Sequence, residues 1–217
     1  YISSGQRCSA ARRLIVNRSI YNDFIPALSE AIKKIVVGRP LQDSPIPFMG
    51  PMIDKRAVDE FLNDYHELTN KGAQILVPTS VLDELGTNFV SPSLIDVTGI
   101  ENIDKEVFGP LLQLCVVDSV EEAIEISNKT QFGLAAGIVT ESTDIYEQYY
   151  KNTKAGIINW NQQLTGSTTI NPFGGIKGSG NFHAAGYLSV DYCAYGCASI
   201  ESPKANVPKE LSPGLSF

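Results

Sequence analysis

The sequence predicts an α/β fold: an open, mostly parallel sheet with helices on both faces. Three observations point there. Residues 111–117 and 133–139 are short, continuous apolar runs, as strands buried on both faces require. Segments with a 3.6-residue apolar period alternate with them. Gly, Pro, Asn and Asp punctuate the intervals, as turns do. Strands that alternate with helices close into a parallel sheet covered by its own crossovers.

Each element has its own signal. Residues 13–16 form a short apolar run. Ile20, Phe24, Ala27, Leu28, Ala31, Ile32 and Ile35 then predict a helix over 20–37, stopped by Gly38-Arg39-Pro40. Pro45, Pro47 and Pro51 make the next stretch a loop. Val58, Phe61, Leu62, Tyr65 and Leu68 share one face of a helix over 55–71, with Gly72 just past its end. Residues 74–77 read as a strand, and 89–97 as another broken by Pro92. After the strand at 111–117, Asp118 or Ser119 caps a helix over 120–129, and Glu121 and Glu122 suit its positive end. A strand at 133–139, a helix at 142–154 and a strand at 155–161 follow. Tyr187 to Ile200 lacks helical periodicity and reads as one or two extended strands, and the proline-bearing tail reads as loop.

Composition limits the function classes. The chain has 217 residues, 43% hydrophobic and 19% charged, which is globular composition. Its net charge of −7 argues against a nucleic-acid partner, because phosphate binding needs clustered Lys and Arg. No apolar run approaches the ~18 residues of a membrane span. The four cysteines and two histidines lack the spacing of a metal site. Sparse thiols in a chain this long suit a reduced, cytoplasmic protein.

Three stretches could carry chemistry. Cys8 lies in Gly5-Gln6-Arg7-Cys8-Ser9, where Ser3 or Ser4 could cap a short helix. A thiol in a helix's first turn, near Arg7 and Arg12, would favour its nucleophilic thiolate; the plainer reading is a small buried residue. Glu106-Val107-Phe108-Gly109-Pro110 leads straight into a buried strand, where sheet ends present ligand groups; a surface Glu before a turn is the alternative. Pro172-Phe173-Gly174-Gly175-Ile176-Lys177-Gly178-Ser179-Gly180 lets backbone approach closely, but it is neither a P-loop nor a GxGxxG turn. His183 could partner Cys8 in a thiol hydrolase, and nothing in the spacing supports or excludes that. His66 reads as solvated, and Cys193 and Cys197 as packing residues.

Taken in order, Gly5-Gln6-x-Cys8, Glu106-x-Phe108-Gly109-Pro110 and Pro172-Phe173-Gly174-Gly175-x-Lys177-x-Ser179-Gly180 resemble three signatures of the aldehyde dehydrogenase superfamily. Trp160-Asn161-x-x-Leu164-Thr165-Gly166 and Asp191-Tyr192-Cys193-Ala194-Tyr195 are similar to the N-succinylglutamate 5-semialdehyde dehydrogenases within it. The resemblance implies NAD as cofactor and a small aldehyde as substrate. It makes Cys8 the nucleophile, with its backbone N–H in the oxyanion hole. Glu106 would hold the nicotinamide ribose, and Phe108 would pack near the nicotinamide. Arg7, Ser9, Ser167 and Phe173 would meet substrate. It also implies a catalytic domain over residues 1–186, and a homo-oligomer formed through Tyr187 to Ile200 within a final segment 187–217. The cofactor domain, the water-activating glutamate and the oxyanion asparagine of the superfamily precede the nucleophile. They are expected outside this chain, which alone should be inactive.

Overall fold

The computed structural model describes residues 1–41, 44–100, 104–166, 168–181, 183–205 and 210–215. Its centre is a four-stranded sheet in the order β1-β4-β3-β2, made of β1 (Arg13–Asn17), β2 (Gln74–Val77), β3 (Ser93–Asp96) and β4 (Leu111–Val117). β1 and β3 run parallel to β4, with Ile15 opposite Cys115 and Leu94 opposite Leu112. β2 is antiparallel to β3 at the edge.

The side-chain alternation of these strands explains the continuous apolar runs. Leu94, Leu114 and Val116 face a core shared with Ile25 and Ile32 of α1 (Arg18–Lys33). Ile95 and Leu111 face the opposite core, built on Val58, Phe61, Tyr65 and Leu68 of α2 (Lys55–Asn70). Helices thus cover both faces, and Leu94, Ile95 and Leu114 are 0% exposed. Fully burying each such side chain contributes roughly 1.5–3 kcal/mol.

Local signals set the boundaries. Asn17 caps α1 by accepting from the Ser19 N–H, three residues before the first periodic apolar residue, Ile20. α1 ends at Lys33, because Val36 and Val37 turn away to bond the Phe48–Met49 backbone. Asp54 caps α2 through the Ala57 N–H. The strand expected at 89–97 contracts to Ser93–Asp96, beginning just after Pro92. Ser119, rather than Asp118, caps α3 (Val120–Asn128), while Asp118 pairs with Arg18.

A second, separate sheet holds β5 (Ala135–Ile138) and β6 (Ile157–Trp160), parallel, with α4 (Thr143–Asn152) as their crossover. α3 packs on β1 and β4 on one side and on α4 on the other, so it joins the two sheets. Arg13 donates to the Ile126 and Ser127 carbonyls, satisfying the open C-terminal end of α3.

The expected strands over Tyr187 to Ile200 are not formed. β7 (Pro172–Phe173) and β8 (Ala185–Gly186) make a minimal hairpin. One helical turn, α5 (Ser189–Tyr192), follows it, and residues 193–200 have no regular element and lie exposed. A strand exists only with a ladder partner, and among the described residues no sheet edge pairs with this segment. Among the described residues, no helix is long and apolar enough to cross a membrane.

Candidate active site

The first ten residues form a tightly fastened loop. Ile2–Gly5 makes one left-handed turn in which Ser3, Ser4 and Gly5 take positive φ of 53°, 55° and 70°. Left-handed backbone at two serines costs energy, so outside contacts must hold it. Ser4 is buried and donates to the Gly50 carbonyl at 2.7 Å. Gln6 accepts from the Ile53 N–H at 2.9 Å, and the Tyr1 hydroxyl donates to the Ser93 carbonyl at 2.8 Å. Burial raises the Tyr1 phenol above its ordinary range.

Cys8 follows this turn instead of starting a helix. It sits on an exposed turn closed by the Ala10 N–H donating to the Arg7 carbonyl. The helix-start setting expected for it is therefore absent: Ser3 and Ser4 are committed to left-handed backbone and to other partners. No acceptor takes the Cys8 backbone N–H among the described residues. Arg7 is exposed, and its Nε donates to Ser3 Oγ at 2.9 Å. Ser9 is buried beneath the turn.

The Glu106 loop packs directly on this turn. A Cβ on Gly5 would stand 2.1 Å from the Gly109 carbonyl oxygen, and one on Gly109 would stand 2.4 Å from the Phe61 ring. Glycine at both places lets the two backbones touch. Glu106 is exposed and has no hydrogen-bond or ion-pair partner among the described residues. Phe108 is 44% exposed, while Val107 between them is buried.

The glycine loop reaches the same region through the turn over residues 128–133. Lys177, at φ 53°, donates through Nζ to the Asn128 and Thr130 carbonyls, both at 3.0 Å. The Gly178 N–H donates to the Gln131 carbonyl, and Ser179 Oγ accepts from the Gly133 N–H. Thr130 and Gln131 also donate to the Asp104 carboxylate, which pairs with Arg12 at 3.3 Å. The turn over 128–133 therefore contacts the glycine loop directly, and through Asp104 and Arg12 it meets the segments that flank the other two motifs. Nothing in its composition separates it from any polar connection between a helix and a strand.

Burial opposes ionisation of Asp104, but the Gln131 N–H, the Thr130 hydroxyl and Arg12 outweigh it and hold its carboxyl below the usual range. A carboxyl depressed on folding stabilises the protein above its unfolded pKa and loses that contribution as pH falls through the folded pKa. We expect Asp104→Asn to lower Tm at pH 7. The gap from wild type should close as pH falls below about 4. A gap that stays constant across this range, in melts followed by circular dichroism, would contradict a charged role.

These motifs lie at the amino ends of β1, β4, β5 and β6. A cavity of about 690 Å³ opens at the other, carboxyl ends of β5 and β6, lined by Val139, Thr140, Glu141, Asn161, Gln162 and Gln163. Trp160 borders it, stacked on Tyr146 at 4.2 Å and donating to the Thr140 carbonyl, while Asn161 takes φ 52°. Phe173 lies half-buried in the hairpin. Ser167 lies outside the described residues. His183 is exposed with its ring toward Tyr192, and no contact joins it to the Cys8 loop among the described residues. His66 is exposed on α2, as expected.

Residues 1–195 match the aldehyde dehydrogenase family. The chain belongs to that family. Its fold is shared with solved members. A succinate-semialdehyde dehydrogenase from Burkholderia pseudomallei is 29% identical at TM-score 0.78, over 88% of this chain and 39% of that one. The aldehyde dehydrogenase KauB from Pseudomonas aeruginosa is 31% identical at TM-score 0.78, over 87% and 38%. An indole-3-acetaldehyde dehydrogenase of P. syringae, solved with NAD+, is also 31% identical at TM-score 0.78, over 87% and 38%. This aldehyde dehydrogenase chain thus spans about two fifths of the length of each.

Proposed function

We propose that this chain is the nucleophile-bearing part of an NAD-dependent dehydrogenase that oxidises N-succinyl-L-glutamate 5-semialdehyde to N-succinyl-L-glutamate in arginine catabolism. The reaction class is carried by the family match over residues 1–195, and an exposed Cys8 on a loop packed against that of Glu106 supports it. Semialdehyde oxidation is supported by the Burkholderia relative, and the cofactor by the P. syringae relative solved with NAD+.

The residues suit the cofactor. Glu106 offers an unengaged carboxylate that can accept from ribose hydroxyls, and Phe108 offers an exposed ring for a nicotinamide. NAD+, when bound, supplies the hydride acceptor. Cys8 thiolate forms a C–S bond to the aldehyde carbon, and the carbonyl electron pair moves to oxygen. The Cys8 N–H stabilises that oxyanion. Collapse of the oxyanion expels hydride with its electron pair and leaves a thioester on Cys8. Water then cleaves the C–S bond, giving the acid and restoring the thiol.

Arg7 has two terminal nitrogens without partners among the described residues, and they can pair with a substrate carboxylate. Ser167 is proposed as a further carboxylate donor, and Ser9 and Phe173 as lining residues. Tyr187, Val190 and Tyr195, the last 91% exposed, support an oligomer contact through Tyr187 to Ile200. Four unpaired cysteines suit a reducing, cytoplasmic setting.

The test is NADH formation by the full-length protein carrying this chain. N-succinylglutamate semialdehyde should exceed succinate semialdehyde in kcat/KM by about tenfold or more, the scale of an unmatched carboxylate site. Equal or inverted values would sink the substrate assignment. The 217-residue chain alone should give no turnover, since one missing oxyanion donor already costs ~10²–10³ in rate. Measurable turnover by it would overturn that expectation.

A further inference from the structure

Arg12 joins the Cys8 loop to the Glu106 loop. Its side chain is only 17% exposed. Nη1 donates to the Lys105 carbonyl at 2.7 Å, the peptide group that leads into Glu106. Nη2 reaches Asp104 Oδ1 and Thr130 Oγ1, each at 3.3 Å. The guanidinium also lies over the Phe132 ring, 5.2 Å from its centroid. The Asp104 carbonyl is held separately, by Gln131 Nε2 at 2.8 Å.

Both carbonyls preceding Glu106 are therefore fixed from outside their own loop. Beyond Glu106, Gly109 is clamped between Gly5 and Phe61. Glu106 and Phe108 ride on a short span between two fixed points, with their side chains free to meet a ligand. One of those points is a residue only four positions past Cys8.

We infer that Arg12 is a positioning residue that sets the Glu106 carboxylate relative to Cys8, and so governs nucleotide affinity more than thiol reactivity. The inference rests on the roles proposed above for Cys8 and Glu106. A planar fork is needed, because one group must serve a carbonyl, a carboxylate and a ring face together. Lysine can replace one of these contacts, not all three.

The experiment uses the full-length protein with Arg12→Ala, Arg12→Lys and Asp104→Asn. Arg12→Ala should raise KM for NAD+ about 10-fold or more, the scale of one lost charge-assisted hydrogen bond. KM for the aldehyde should stay within about twofold. Arg12→Lys should recover part of the loss, and Asp104→Asn should raise the same KM less, since the contact to the Lys105 carbonyl survives.

Two readouts on the 217-residue chain are independent of turnover. In Arg12→Ala, the Gln131 amide bonded to Asp104 and the Gly109 amide bonded to the Val107 carbonyl should exchange hydrogen faster below Tm. Alkylation of Cys8 by iodoacetamide should keep its wild-type rate. An unchanged KM for NAD+ in a folded Arg12→Ala enzyme overturns the inference. So does a joint fall of Tm and kcat with both KM values raised alike, which Arg12→Lys does not relieve. If Arg12→Ala does not fold, the Lys and Asn variants decide by the same KM. A wild-type protein that forms no NADH refutes the dehydrogenase reading instead; exchange at the Gln131 and Gly109 amides then still decides whether Arg12 holds the loop.

Discussion

Cys8→Ala in the full-length protein is expected to lower kcat by at least about 10⁴-fold, the scale of removing the nucleophile from a covalent mechanism. Stability should hardly change. The Cys8 side chain is exposed, and its loop is held by Ser4, Gln6 and Gly5, not by the sulfur. Exposed substitutions of this kind usually stay within about 0.5 kcal/mol. Initial rates of NADH formation, paired with a thermal melt, separate the two effects. A variant that keeps more than a few per cent of wild-type turnover would remove Cys8 from the chemistry. Cys115 is a poor substitute nucleophile: it lies in β4, where burial raises its thiol pKa.

Gly5→Ala should destabilise the 217-residue chain by about 3 kcal/mol or more, from two separate costs. The first is a positive φ of 70°, worth about 1–2 kcal/mol for an L-residue. The second is the methyl group, placed 2.1 Å from the Gly109 carbonyl oxygen. Backbone cannot rotate aside as a side chain can, so one loop must move. Gly72→Ala isolates the first cost, because Gly72 has φ 103° with nothing within 4 Å of its would-be methyl. Urea melts of the two variants should therefore differ, with Gly5→Ala the worse. Equal losses would mean that the two loops do not touch in solution. Displaced loops should also depress kcat of the full-length protein, since Cys8 and Glu106 move relative to each other.

The fold was legible where one physical signal dominated. Leu111–Val117 reads as a doubly buried strand because both of its faces meet apolar cores. The α2 face was visible for the same reason, as Val58, Phe61, Tyr65 and Leu68 repeat at helical spacing over one core. Tyr187 to Ile200 was misread because β-forming residues specify a strand only when an edge is available. The helix-start setting of Cys8 was misread for a more local reason. Ser3 and Ser4 are good capping residues, but both take left-handed backbone here: Ser4 is tied to partners 46 and 47 positions away, and Ser3 accepts from Arg7. The motif residues themselves were legible by type and order. The turn over 128–133 was not, because its role lies in backbone groups and in one Asp–Arg pair that meets it from elsewhere.

Trp160 is the one tryptophan of the chain. Its indole is stacked within 10° of parallel on Tyr146, and its N–H is tied to the Thr140 carbonyl, itself part of the cavity wall. Excited beyond the tyrosine band, this chain thus emits from one wall of that cavity, with a fixed ring alongside and a single hydrogen bond setting the indole's polarity. A solute that enters and displaces Thr140 or Asn161 should shift or quench this fluorescence. The chain accordingly carries a built-in optical gauge of the cavity, and it reads occupancy without label, substrate turnover or cofactor.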